Sequence, residues 1–103
     1  MYLVREIMYC KPGKVRQLLE KFIAMSKLSE KVGMPRMRIL TDFAAERYWT
    51  LVGEMEVESI ADFERMMSTP PVNEDDAKEF EKIMKGYHDL VEYGKREIYK
   101  IEA

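Results

Sequence analysis

The order of its amphipathic segments constrains the fold of this chain more than any single residue does. By hydrophobic period, the chain runs strand, helix, strand, strand, helix, strand within 103 residues. That length supports one domain with one modest core. Because crossovers between strands of one sheet are right-handed, we expect both helices on one face of a four-stranded antiparallel sheet over residues 1–103.

The first half of the chain carries three predicted elements. Residues rich in Tyr, Val, Ile and Met predict a strand over Tyr2–Cys10. Apolar residues then recur at helical spacing over Val15–Val32, and Gly33 with Pro35 behind it predicts the helix end. Alternating apolar and more polar residues predict a second strand over residues 36–43.

The third predicted strand, Tyr48–Val57, has the clearest alternation in the chain. Because successive side chains of a strand point to opposite faces, its residues divide into two sets. We expect the first set to face the helices and the second to lie on the open face of the sheet. The sets are Trp49, Leu51, Gly53, Met55 and Val57, and then Tyr48, Thr50, Val52, Glu54 and Glu56.

The second half carries two helical segments and a final strand. Each segment begins with Ser or Asn followed three residues later by Asp, a pattern that favours a helix N-terminus. The first is predicted from Ser59 to the Thr69-Pro70-Pro71 turn, because proline cannot supply the donor that a helix interior needs. The second is predicted from Asn73 to Gly94, with Tyr87 and Val91 on its apolar stripe, and the last strand over Arg96–Ile101.

This order is that of a ferredoxin-like βαββαβ fold of the α+β class, with both helices on one face. Tyr48 and Val52 make the second face of the sheet too apolar to be covered by water alone. Large exposed apolar faces mark partner surfaces, and an isologous two-fold contact buries such a face against its own copy. We therefore expect a homodimer formed through the open face of the sheet.

Two stretches of the chain resemble known families. The first strand ends in Lys-Pro-Gly-Lys before a helix striped with Leu and Phe, which resembles the start of NIPSNAP-type domains. The stretch GEMEVESIADFERMMSTPPVNEDDAKEF resembles the passage from the third strand to the second helix in dimeric α+β barrel proteins, including antibiotic-biosynthesis-monooxygenase-like domains. The resemblance covers most of the chain. It implies a dimeric α+β barrel with a small cavity between sheet and helices.

Departures from these families limit what the resemblance implies about activity. First strands of NIPSNAP-like domains tend to carry Arg and Tyr two residues apart, where this chain has Glu6 and Met8. Its Arg5 and Tyr9 lie one residue out of register, and such a shift moves a side chain to the other face. Haem-degrading relatives use an Asn on the first strand and a Trp and a His near the second helix. That pattern is absent here, with His88 far downstream, so haem degradation is disfavoured.

Composition excludes several function classes. The formal net charge is −2, and the basic residues are interleaved with acids, which argues against nucleic-acid binding. No apolar stretch is long enough to span a bilayer and no signal-peptide pattern opens the chain, so we expect a cytoplasmic protein with no membrane partner. Cys10 and His88 are the only residues of their types. The sequence therefore implies no internal disulfide, no metal site and no cofactor.

Four residues form the candidate ligand-binding set, namely Arg38, Trp49, Tyr87 and His88. His88 is also the catalytic candidate, because histidine is the usual general base near neutral pH; the alternative is a surface or hydrogen-bonded histidine. Trp49 is either a core residue or a ligand platform whose indole N–H needs a partner if buried. The nine methionines favour a plastic core, with a methionine-lined binding face as the alternative.

Three functions remain open from the sequence. We favour a small homodimeric α+β barrel that binds a small apolar or aromatic metabolite between sheet and helices. The first alternative is a cofactor-independent monooxygenase or isomerase acting on a small metabolite, in which His88 or Arg38 shares a cavity with Trp49 and a tyrosine hydroxyl. The second alternative is a non-catalytic interaction module.

Overall fold

Four antiparallel strands form the sheet of the computed structural model, which describes residues 1–69 and 72–103. They are β1 (Tyr2–Cys10), β2 (Arg38–Thr41), β3 (Thr50–Val57) and β4 (Val91–Lys100), in the spatial order β2-β3-β1-β4. The centre of the sheet is β1 with β3, since β1 pairs with both β3 and β4. The predicted α+β, ferredoxin-like arrangement is therefore confirmed.

The described residues form three helices, of which the first two pack on one face of this sheet and the third packs against the first. They are α1 (Val15–Lys31), α2 (Ile60–Ser68) and α3 (Glu74–Met84), and a 3-10 turn at Tyr87–Asp89 leads into β4. None of these helices is both long and apolar enough to cross a membrane.

Both predicted helix N-termini are capped by the expected side chains. The Ser59 hydroxyl accepts a hydrogen bond from the Asp62 N–H at 3.0 Å, and the Asn73 side-chain oxygen accepts from the Asp76 N–H at 2.8 Å. The predicted helix end at residues 70 and 71 lies outside the described residues.

The core lies between this face of the sheet and the helices, in two clusters. The first contains Cys10, Leu18, Phe22, Leu51 and Leu90, and the second contains Val4, Met55, Val57 and Phe63. Because Leu51, Met55 and Val57 are buried in these clusters, the predicted division of the third strand is confirmed from residue 51 to residue 57.

Trp49 corrects the predicted third strand. β3 begins at Thr50, and Trp49 adopts the left-handed conformation with a φ of 60°, which interrupts the extended backbone. Its side chain is 40% exposed instead of packed under the helices. Asp42 Oδ1 accepts from the Thr50 N–H at 2.8 Å, and the Thr50 hydroxyl donates to the Arg47 carbonyl at 2.8 Å. The turn held by these bonds also ends β2 earlier than predicted, at Thr41.

The last helix is also shorter than predicted. α3 ends at Met84, and Gly86 follows with a φ of 83°, a conformation that glycine adopts without steric cost. β4 therefore starts earlier than predicted, at Val91. Gly94, the predicted helix end, lies within β4 opposite Met8, where a Cβ atom would lie 3.1 Å from the Met8 sulfur. This glycine makes room for a methionine and does not end a helix.

Candidate functional site

A cavity of about 520 Å³ lies between the sheet and the helices. All three helices, three of the strands and the segment before β2 contribute side chains to its wall. Eight of the nine methionines line it, namely Met8, Met25, Met34, Met37, Met55, Met66, Met67 and Met84. Phe22, Phe80 and Tyr87 add aromatic surface. Several of these methionines also pack against the core clusters, so core packing and a methionine-lined face occur together. We call this space the methionine cavity.

Two strand glycines give the cavity methionines room. A Cβ atom at Gly53 of β3 would lie 3.0 Å from the Met37 sulfur and 3.6 Å from the Phe22 ring. Gly94 of β4 stands in the same relation to Met8. Because protein interiors are close-packed, a side chain at either glycine would displace a methionine from its present place in the wall.

One ion pair supplies the charged groups of this wall in the described part of the chain. Glu6 of β1 and Arg96 of β4 are paired in register, and Arg96 Nε donates a hydrogen bond to the Glu6 carboxylate. The guanidinium also lies over the Phe63 ring, 5.1 Å from its centroid, which is within range of cation–π attraction. Ser29 and Tyr87 are the other polar side chains of the wall.

Sequence reasoning did not select Glu6 and Arg96 as site residues, although a signal for them exists. Glu6 and Arg96 lie on the helix-facing side of their strands, the same side as Val4 and Ile98. A charged side chain is unusual at such a position, because burying charge is costly unless it is paired. The sequence signal for this part of the site was therefore a pair of opposite charges at helix-facing positions of two neighbouring strands.

The structure separates the four predicted ligand-binding residues. Tyr87 lines the methionine cavity. His88 follows it in the 3-10 turn and is exposed, with its ring 4.0 Å from the Tyr87 ring; it is not part of the cavity wall. Trp49 lies in the loop between β2 and β3, and Arg38 lies on the open face of the sheet. Their roles in ligand binding remain predictions, and of these four residues the methionine cavity is lined by Tyr87.

The loop between β2 and β3 presents aromatic side chains to solvent. Phe43 is fully exposed and Tyr48 is 85% exposed, and with Trp49 they line a second cavity of about 620 Å³ that reaches Cys10. Burial, and secondly the charge of Asp42, raises the pKa of the Cys10 thiol, so the less reactive thiol form is favoured. Within residues 1–69 and 72–103, no three His, Cys, Asp or Glu side chains are grouped as a metal site requires.

A row of alternating charges crosses the open face on all four strands. Arg38, Glu54, Arg5 and Glu97 are aligned in register across β2, β3, β1 and β4. Arg38 donates to one Glu54 oxygen at 2.6 Å, and Arg5 donates to the other at 2.9 Å. The hydrogen bond from Arg38 is the largest cause that lowers the pKa of Glu54, whose side chain is only 10% exposed.

Apolar side chains flank this charge row. Leu40 of β2 and Tyr93 and Tyr99 of β4 are exposed. Tyr9 of β1 is buried on the same face, because the Tyr93 ring stacks on it at 5.7 Å and the Arg47 guanidinium lies 4.4 Å from its centroid. The open face is therefore mixed, with a paired charge row between apolar borders.

Solved structures share this fold. An uncharacterized NIPSNAP-like domain protein from Burkholderia xenovorans is similar to 99% of this chain over 85% of its own, with a TM-score of 0.76 and 13% identity. A protein from Nitrosomonas europaea, provisionally named an antibiotic biosynthesis monooxygenase, matches over 100% of both chains, with a TM-score of 0.68 and 17% identity. No protein-family model and no curated protein matches the sequence. The resemblance drawn from the sequence is confirmed at the level of the fold, which by itself fixes no activity.

Proposed function

We propose that this protein binds a small apolar or aromatic molecule in the methionine cavity. The supporting observation is the concentration of eight thioether side chains around one cavity of about 520 Å³. Small-molecule sites have volumes of roughly 300–1,000 Å³ and mostly apolar walls. Methionine is unbranched and polarizable, and it is over-used at surfaces that adapt to apolar partners of different shapes. Core packing alone does not require so many sulfurs around one open space.

The chemistry of the wall favours an aromatic ligand over an aliphatic one. A thioether beside an aromatic ring contributes about 0.3–1.5 kcal/mol beyond simple burial. Phe22, Phe80 and Tyr87 in the wall offer ring faces and edges for further aromatic contacts. An alkyl chain would gain the burial of apolar area without these additional contacts.

An uncharged aromatic dye, N-phenyl-1-naphthylamine, tests this proposal through its fluorescence. Ala77→Trp on α3 introduces an indole from an exposed position of the cavity wall, so we expect about tenfold weaker binding as contact area is lost. Ala61→Trp on α2 is the matched control, because Ala61 is also an exposed helical alanine but is not part of that wall. Equal binding by the wild type and both variants would refute the cavity as the site.

We further propose that two copies associate through the open face of the sheet. Leu40, Tyr93 and Tyr99 are exposed there, which supports a partner surface. The row of charges alternates in sign along its length, so it is complementary to a reversed copy of itself. A two-fold axis brings two such rows together in opposite directions.

Analytical ultracentrifugation at micromolar concentration tests this association. Leu40→Asp is expected to produce monomers, because it buries a charge at the contact. Ile23→Asp on α1 is the control, since Ile23 is 39% exposed and Leu40 is 38% exposed, yet Ile23 lies on a helix. A wild-type protein that sediments as a monomer would refute the proposed dimer.

Cofactor-independent oxygenation is the second candidate function. It is favoured by the fold shared with the Nitrosomonas europaea protein and by a carboxylate, Glu6, and a phenol, Tyr87, in one apolar cavity. In such a reaction an activated CH₂ group and O₂ give C=O and water, after a base has removed the first proton. Oxygen uptake with a phenolic substrate that carries such a CH₂ group, lost in Glu6→Gln, would support it; uptake unchanged by that substitution would exclude Glu6 as the base.

A further inference from the structure

The methionine cavity has one cationic group in its described wall, the Arg96 guanidinium. In the described residues, Glu6 and Arg96 are the only charged side chains of its wall. Over the same residues Glu6 is the only hydrogen-bond partner of the Arg96 side chain, and it takes the Nε donor. The two terminal amino groups carry four further N–H donors, which leaves them available to a ligand.

Arg96 is held in a defined position before any ligand arrives. Its strand register sets it opposite Glu6, and its guanidinium lies 5.1 Å from the centroid of the Phe63 ring. The side chain remains 43% exposed, while that of Glu6 is 19% exposed. Contacts on two sides reduce the entropy lost on binding, and the exposed part leaves a path of approach.

We infer that the ligand is an aromatic anion, with its ring among the thioethers and its carboxylate or sulfonate on the terminal amino groups of Arg96. This inference rests on the proposed function of the cavity. Guanidinium groups bind planar oxyanions through two parallel N–H···O bonds. Glu6 occupies only Nε, so it stays in place when the anion binds. Its own negative charge opposes the anion and lowers the affinity.

Two dyes with the same ring system separate the charge from the apolar contact. One is 8-anilinonaphthalene-1-sulfonate, and the other is N-phenyl-1-naphthylamine, which lacks the sulfonate. Arg96→Gln is expected to weaken binding of the anionic dye about tenfold, the lower end of what a hydrogen bond to a charged group contributes. Binding of the neutral dye is expected to change by less than about twofold, since its contacts do not involve the charge.

Two further variants keep the test independent of any loss of folding in Arg96→Gln. Glu6→Gln removes the opposing charge, so the affinity for the anionic dye is expected to rise several-fold relative to the affinity for the neutral dye. Arg96→Lys keeps the positive charge but loses the forked donors, and is expected to bind the anion with an affinity between those of the wild type and Arg96→Gln.

The outcomes distinguish the inference from the proposed function beneath it. If Arg96→Gln affects both dyes equally or neither dye, or if Glu6→Gln does not strengthen binding of the anion relative to that of the neutral dye, the inference is overturned while ligand binding stands. If the anionic dye binds Ala77→Trp as tightly as it binds the wild type, its site lies outside the cavity. This result also overturns the inference. If the neutral dye does not bind the wild type, the proposed function itself fails.

Discussion

Glu54 is the centre of the charge row on the open face, and Glu54→Gln tests how far this row stabilises the sheet. The substitution preserves shape but removes the charge that Arg5 and Arg38 share. Glutamine keeps one acceptor oxygen, yet its amide presents N–H donors to whichever arginine the oxygen does not serve. One of the two hydrogen bonds is therefore lost, and in its place the amide N–H groups of the glutamine face the N–H groups of an arginine.

The exposure of each partner sets the size of the effect. The Arg38 side chain is 74% exposed, so its pair with Glu54 contributes little to stability. The Arg5 side chain is 32% exposed beside a carboxylate that is 10% exposed. A hydrogen bond to a charged group contributes about 1.5–3 kcal/mol, and the exposure of Arg5 reduces this to about 1–2 kcal/mol. We expect Glu54→Gln to lower the unfolding free energy by about 1–2 kcal/mol at pH 7 and the Tm by roughly 5–10 °C.

The pH dependence of this loss has a defined sign. The hydrogen bond from Arg38, followed by the charges of Arg38 and Arg5, lowers the folded-state pKa of Glu54 below its ordinary value of 4.5. The stabilisation is therefore fully present above about pH 4.5 and is lost as the pH falls through the folded-state pKa. Urea unfolding followed by circular dichroism should show the difference between wild type and Glu54→Gln at pH 7, and a smaller difference as the pH falls below the ordinary value.

Glu56→Gln is the matched control for this experiment. Glu56 lies on the same strand and the same face but is exposed, and surface changes of this kind alter stability by about 0.5 kcal/mol or less. Unfolding at two protein concentrations separates the loss of the charge row from any loss of association. The reasoning is refuted if Glu54→Gln matches Glu56→Gln at pH 7, or if its deficit is unchanged in acid.

Three further predictions concern stability and reactivity. Leu18→Ala removes a fully buried side chain and should lower the unfolding free energy by about 2–5 kcal/mol in urea titrations; a smaller loss than for partly buried Leu19→Ala would contradict the assigned core. Gly86→Ala forces a Cβ into a φ of 83° and should cost about 1–2 kcal/mol by the same assay, with no change expected if that conformation is absent. Cys10 is 3% exposed and burial raises its pKa, so a thiol reagent at pH 8 should react much faster in urea than with the native protein; equal rates would show an accessible thiol.

The element order was predictable because it depends on local periodicity and local caps. The alternation along β3 assigned Leu51 and Met55 to the buried face, and Ser59 and Asn73 marked two helix starts. These signals are written in residues close in sequence, so no tertiary information is needed to find them. The placement of the helices on one face of the sheet followed from handedness rules that hold across folds.

The errors at Trp49 and Gly94 have a common physical cause. A left-handed φ at a bulky residue is rare, and the hydrogen bonds that hold it at Trp49 come from Asp42 and Thr50 across a loop. Glycine occurs at helix ends, in turns and in strands. Only the presence of Met8 on the neighbouring strand shows that Gly94 allows the close approach of that side chain. Neither fact is present in the local pattern.

The candidate site was harder to predict because its residues are scattered through the chain and look ordinary one at a time. Sequence reasoning gave weight to residue types that are rare and chemically active, which led to His88 and Trp49. The methionine cavity is instead built from a common apolar type, and most of its methionines also pack against the core clusters. What distinguishes the cavity is that these side chains converge on one space, and this convergence depends on how three helices are placed over one sheet.

The pair Glu6 and Arg96 interrupts the apolar pattern of two adjacent strands at positions that are paired with each other. Since a charged side chain at a helix-facing position costs free energy unless it is paired or reaches water, two opposite charges at paired positions are a clearer signal of a polar point in the cavity wall than either residue alone.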